Sequence, residues 1–201
     1  MPQVKKTKIE MKAQRDALRR FERFLPLLQL KKQQLQVELQ GVLAALDKVQ
    51  VEEQALLAAA RPWAALFADS AALDGLKPAV ERLVVSEANI AGVAIPVFES
   101  IRFTVPKIDL FTAPAWVDEA LALIMKLATS RLRRDILQRQ ADLLEEELRT
   151  TSQRVNLFEK VKIPEAREKI RIIRIFLGDL MTAEVARGKA AKKVGLREQA
   201  S

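Results

Sequence analysis

Histidine and cysteine are both absent from the 201 residues. With them go the usual ligands for zinc, copper and haem, and the usual nucleophile–base pairs. Carboxylates and cations are the reactive groups that remain. The densest carboxylate run is Glu145-Glu146-Glu147, and three consecutive residues point in different directions around a helix, so the run reads as solvated charge and not as a metal cluster. No G-x-x-x-x-G-K-[ST] phosphate loop occurs, nor any visible pair of carboxylates set in a pocket. The expectation is a protein with no catalytic residues, no metal site and no cofactor. What it does offer is positive charge on helical faces, and such a face taken alone is most often simply solvated.

The elements that carry this charge are long helices. Alanine, leucine, glutamate, lysine, arginine and glutamine dominate and only six glycines are present, a mixture that favours long helices with few turns. The absence of cysteine fits a reducing compartment. No run of about 18 apolar residues could span a bilayer and the N-terminus lacks a signal-peptide core, so a cytoplasmic location without direct membrane insertion is expected. The net charge of +8 is unevenly placed: residues 1–40 carry ten Lys/Arg against four Asp/Glu, residues 160–201 carry eleven against five, and residues 41–159 carry thirteen against seventeen. The two terminal segments are basic and the middle mildly acidic.

A 3-4 spacing of apolar residues runs from Val4 to Leu56 through Met11, Leu18, Phe21, Leu25, Leu28, Leu35, Leu39, Val42, Leu46 and Val49, with Thr7, Gln14, Lys32 and Glu53 in the same frame. This is a coiled-coil seam, and Pro26 within it should bend the helix near Arg23-Phe24 without breaking the seam. Phe21, Phe24 and Phe158 are assigned to seam packing. Residues 61–115 hold five of the eight prolines. There Ala60 to Leu76 suggests a short helical turn or two, and Leu83-Val84-Val85 and Val97 to Val105 read as two strands around the turn-competent Asn89-Ile90-Ala91-Gly92. The apolar residues Val97, Phe98, Ile101 and Phe103 are assigned to burial, either in this head or against a partner. Trp63 and Trp116 flank the head.

A second helix should begin at Pro114-Ala115-Trp116 and run to about Lys189. One frame holds Ala120, Leu123, Leu127, Leu137, Ala141, Leu144, Leu148, Val155 and Phe158; another holds Ala166, Ile170, Ile173, Leu177 and Leu180. The frames differ by one extra residue near Lys162-Ile163-Pro164, which should bend or locally unwind the helix. The fold class that results is all-α: a long antiparallel two-helix coiled coil with a small central head of short helices and a β-hairpin. Its segments are a first helix over 1–60, a head over 61–115, a second helix over 116–189 and a frayed basic tail over 190–201.

Three segments resemble the D subunit, the central-stalk component of V-type and archaeal-type rotary ATPases and ATP synthases. Arg154-Val155-Asn156-Leu157-Phe158-Glu159-Lys160-Val161-Lys162-Ile163-Pro164, followed by Ile170-Arg171-Ile172-Ile173-Arg174, is similar to the family's R-x-V-N-A-L-E-x-x-x-I-P segment and its Ile-rich turn. Leu27 to Leu35 resembles the L-L-K-x-K-R-D-x-L run, and Asn89 to Pro96 the N-I-x-G-V-x-x-P segment. Two departures stand out. Gln33-Gln34 occupy the place of Arg-Asp, and Leu177 to Glu184 lack the family's acidic run.

The resemblance implies a rotor shaft whose paired terminal helices enter the hexamer of catalytic A and non-catalytic B subunits, while the middle of the chain meets the small F subunit and the socket-like C (or d) subunit. ATP chemistry and ion transport, of protons or sodium, then belong to the assembled complex at the cytoplasmic face of the membrane. Under this reading Lys12, Arg15, Arg19, Arg20, Arg23, Lys31, Lys32, Arg171 and Arg174 are the hexamer-contact candidates, and Val97, Phe98, Ile101 and Phe103 the stalk-partner candidates. The alternative is a cytoplasmic coiled-coil scaffold. Nucleic-acid binding, which the pI of 9.9 suggests, is disfavoured because no aromatic residue is interleaved with the basic tail.

Overall fold

A computed structural model describes residues 5–63, 78–105 and 116–198. Helix α1 spans Lys8–Ala60, a short 3-10 turn follows at Arg61–Trp63, and strands β1 (Ala79–Ile90) and β2 (Val93–Thr104) form an antiparallel hairpin. Helix α2 covers Val117–Leu157, a π turn occupies Phe158–Lys162, and α3 runs over Ile163–Glu198. The two long helical stretches and the two-stranded hairpin are those read from the sequence. The expected helical turns over 64–76 and the helix start at Pro114-Ala115 lie outside the described residues.

Helix α1 is started by an N-cap at Thr7, which the seam reading had absorbed. Thr7 Oγ1 accepts from the Glu10 backbone N–H at 3.2 Å, satisfying a donor that the first turn leaves orphaned, and Thr7 O accepts the Met11 N–H at 3.0 Å in the first intrahelical bond. The helix then continues without interruption through Pro26. At its other end α3 differs from the expected boundary. It continues past Lys189 to Glu198, although every side chain from Gly178 to Lys193 is exposed. Packing does not hold this stretch in place; its alanines, lysines and arginines are strong intrinsic helix formers.

The chain divides into two compact units. The first comprises residues 1–31 and 151–201. In it Met11, Gln14, Leu18, Phe21, Leu25 and Leu28 form the half-buried stripe of α1, and Thr151, Val155, Ile163, Ala166, Ile170 and Ile173 form the buried stripe of the second helical stretch. Phe21 packs on Phe158 with ring centroids 5.1 Å apart. Phe24, in contrast, is 48% exposed: three residues after Phe21 it falls beside the 3-4 frame, not in it, so it does not belong to the seam. Leu180, also in the expected frame, is exposed.

The one-residue slip between the two frames has a direct structural counterpart. Across the π turn the Ile163 N–H reaches back five residues to Phe158 O, so one extra residue is absorbed in a single wide turn and the buried stripe resumes at Ile163 on the same face. Pro164 lacks a backbone N–H and its ring crowds the carbonyl four residues earlier. The widened turn directly before it accommodates both effects.

The second unit comprises residues 32–150. Its core is Leu35 from α1, Ile95 from β2 and Leu144 from α2, with Leu39, Val42, Ala88, Ile90, Val93 and Leu148 packed around them. Further along, Leu46 on α1 and Val117, Ala120 and Leu121 on α2 are buried. The hairpin strands, at twelve residues each, are longer than the apolar runs that announced them. They close on a two-residue turn, Ala91-Gly92, with φ of 50° and 84°. Two positive φ values define the type I′ geometry whose twist matches that of the strands, and the Asn89 Oδ1 accepts the Gly92 N–H at 2.9 Å.

Candidate docking surfaces

In the first unit, the basic residues form a face. Lys12, Arg15, Arg19 and Arg23 follow one another at three- and four-residue spacing and Arg20 lies beside them, all exposed on α1. Among the described residues these five, and Arg174 on α3, have no ion-pair or hydrogen-bond partner for their side chains. Arg171 is different: its guanidinium donates to both carboxylate oxygens of Glu168, at 2.7 and 2.8 Å. That hydrogen bond, reinforced by the opposite charge, holds Glu168 below the usual carboxylate range and raises Arg171. Arg167 likewise bonds Glu22 across the unit at 2.8 Å. Lys31 and Lys32 are half-buried, and Lys32 occupies a position of the α1 seam frame.

In the second unit the four apolar hairpin candidates separate. Paired residues of an antiparallel ladder share a face, and the pairs Ile90–Val93, Ala88–Ile95 and Ser86–Val97 place Val97 on the face whose Ala88, Ile90, Val93 and Ile95 meet the helices. Phe98 pairs with Val85 on the other face. The register then shifts twice, between Val84 and Val85 and between Val80 and Arg82, leaving Glu99 unpaired in β2 and Glu81 unpaired in β1. The first bulge reverses the alternation of β2, because one extra residue moves later side chains to the other side. Ile101, paired with Leu83, and Phe103, paired with Val80, therefore join Phe98 on the outer face. The sequence grouped Val97, Phe98, Ile101 and Phe103 by their apolar character, which does not distinguish the two faces of the hairpin.

The hairpin is clamped to α2 by polar contacts. The buried Gln140 amide donates to Pro96 O, and the Arg133 guanidinium lies 5.0 Å from the centroid of the Phe98 ring. Beside Arg133 an open groove of about 750 Å³ has Ala55, Leu56, Ala122 and Met125 on its walls and Glu52 at its edge. An ionic cluster around the buried Glu53 holds the helices nearby. Glu53 accepts from Arg131 Nε at 3.0 Å and from Arg134 Nη1 at 2.9 Å. The sequence carried a signal for this cluster, since Glu53 occupies a seam position of α1 and Arg134 falls in the α2 frame between Leu127 and Leu137.

Among the described residues the chain combines long helices that bear exposed cations with a hairpin that bears an apolar strand face. The chain belongs to the family whose model is described as the ATP synthase D subunit, which matches residues 10–193. It is 43% identical over 192 residues to the V-type ATP synthase D subunit of Borreliella burgdorferi, covering 96% of this chain and 95% of that protein. The proteins of the same description from Chlamydia trachomatis serovar L2 and Chlamydia abortus are 35% and 34% identical, each over 95% of this chain and 95% and 93% of theirs. The resemblance read from the three sequence segments is thus the family of the whole chain. Among the described residues no helix is long and apolar enough to cross a membrane.

Proposed function

We propose that this chain is the non-catalytic central-stalk shaft of a V-type rotary ATPase or ATP synthase. Family membership carries the proposal, and the unpartnered cations of the first unit support it. A shaft turning in a sleeve needs contacts that form and break at low cost at each angle, and exposed, screened ion pairs worth about 1 kcal/mol or less have that property. Lys12, Arg15, Arg19, Arg20, Arg23 and Arg174 meet acidic loops of the A/B hexamer in turn, each biasing the state of one catalytic interface. Arg171 joins them by exchanging Glu168 for a partner carboxylate, and Lys31 and Lys32 act at the edge of this surface. The apolar seams of the helices carry torque, since two helices locked through a shared interface resist twisting better than one. The middle of the chain engages the F and C subunits, and Val97, Phe98, Ile101 and Phe103 belong to that region. ATP turnover and proton or sodium transport are events of the assembled complex at the cytoplasmic face of the membrane.

The test is co-expression with a candidate F subunit and, separately, with the A and B subunits, followed by size-exclusion chromatography. The shaft reading expects a one-to-one complex with F that joins the hexamer at one copy per hexamer. A stable homodimer that binds neither would favour the scaffold reading instead.

A further inference from the structure

We infer that the outer face of the hairpin is a docking surface for a second protein that presents an apolar patch ringed by lysine or arginine, and that the two bulges exist to create it. The inference rests on the reading that Phe98, Ile101 and Phe103 meet a stalk partner and deepens it by naming that partner's chemistry; it holds whether or not the chain turns. Near the turn, the inner face is apolar and is used up on the chain's own helices, through Ile90, Val93 and Ile95. Beyond the bulge at Glu99 that face carries Val84 together with Ser100, Arg82 and Arg102, while Leu83, Ile101, Val80 and Phe103 stand on the outer face. There Val80, Leu83 and Val85 are 50%, 38% and 41% exposed, and they stand opposite Phe103, Ile101 and Phe98.

On this face Val80, Leu83 and Val85 are exposed and Ile101 and Phe103 half-buried, and an apolar strand face open to that degree is unusual unless something covers it. Its surroundings indicate what does. Glu81 and Glu99, the bulged residues, and Glu87, on the outer face opposite Pro96, are all exposed, and among the described residues none of the three is ion-paired or hydrogen-bonded through its side chain. An apolar centre within an unpaired acidic rim matches a partner of the opposite sign, since rim charges steer association and reject like-charged surfaces. A second copy of this chain would set glutamate against glutamate. Arg133 of α2 already lies against Phe98.

Photo-crosslinking in the host cell tests this on the full chain. A photoreactive amino acid is placed singly at Leu83 and Ile101 on the outer face, and at Ser100 and Arg102 on the inner face as controls. The inference expects one heterologous adduct from positions 83 and 101 and none from 100 and 102, with the captured peptide rich in Lys or Arg. The triple variant E81Q/E87Q/E99Q should lower the adduct yield by about tenfold, and R82Q/R102Q should leave it unchanged. An adduct confined to this chain or to a second copy, equal yields from both faces, or indifference to the three glutamates would overturn it. Loss of the chain from the A/B hexamer with the adduct intact would count against the shaft reading and not against this surface.

Discussion

The Glu53 carboxylate and the Arg134 guanidinium lie 2.9 Å apart, joining a polar position in the α1 seam to a polar position in the α2 frame. Glu53 is buried, whereas Arg134 and Arg131 keep 36% and 52% of their side chains in water. Asp135 helps to hold Arg134 in place and, with Glu53, raises its pKa. Because the arginines can rehydrate, Glu53→Ala should cost about 1 to 2 kcal/mol, less than the loss of one partner of a fully buried pair. Glu53→Leu, which continues the apolar seam, should stay within about 1 kcal/mol of wild type while losing the polar match that fixes the helix register. Urea unfolding of both variants, with a Glu53/Arg134 double-mutant cycle, measures these terms.

The π turn makes a prediction about chain length. Deleting exposed Val161 removes the extra residue, so Phe158 and Ile163 return to ordinary four-residue spacing and the seam is kept. Pro164 would then sit in a regular helix at a cost of about 3 kcal/mol. The deletion combined with Pro164→Ala should therefore be markedly more stable than the deletion alone. Deleting Glu146, in a regular stretch of α2, should cost more than either, because it rotates every later seam residue by about 100°. Thermal melts of the three proteins by circular dichroism give the order.

Thr151 is 1% exposed, and among the described residues its hydroxyl has no hydrogen-bond partner. An unsatisfied buried hydroxyl is unfavourable, and valine has nearly the same shape. Thr151→Val should raise stability by about 1 kcal/mol, seen as a higher urea midpoint at unchanged slope.

The pair Glu168–Arg171 gives a pH signature. The folded-state pKa of Glu168 is depressed by the Arg171 hydrogen bond, so its contribution is present above the ordinary carboxylate pKa and fades as the pH falls through the depressed value. A carbon-detected NMR titration should show the Glu168 carboxyl titrating below its ordinary value of 4.5. In Arg171→Gln it should return towards that value.

Much of this molecule was readable because its apolar residues keep helical period over long stretches. The seam frames, the slip before Pro164 and the hairpin turn at Ala91-Gly92 all follow from spacing and turn chemistry. The slip announced a local unwinding, and it is a π turn. What spacing could not reveal was where polar residues meet across elements. Glu53 and Arg134 each look like a gap in one seam and become a cluster only when the helices are set side by side. Gln140 gives no sign in the sequence that it reaches Pro96. The bulge at Glu99 was equally hidden: an alternating strand looks the same with or without one extra unpaired residue, yet its presence decides which face Ile101 and Phe103 occupy. The α3 extension past Lys189 was missed because an apolar seam was required of it where intrinsic propensity was sufficient.

The shaft reading is tested most directly by a reversible lock. The chain contains no cysteine, so one introduced in place of exposed Arg23, paired with one in a facing loop of the A/B hexamer, gives a single defined disulfide in the assembled complex. A turning shaft predicts that oxidation abolishes steady-state ATP hydrolysis and that reduction restores it. Full hydrolysis with the disulfide formed would show that the chain does not rotate against the hexamer, and would contradict the account.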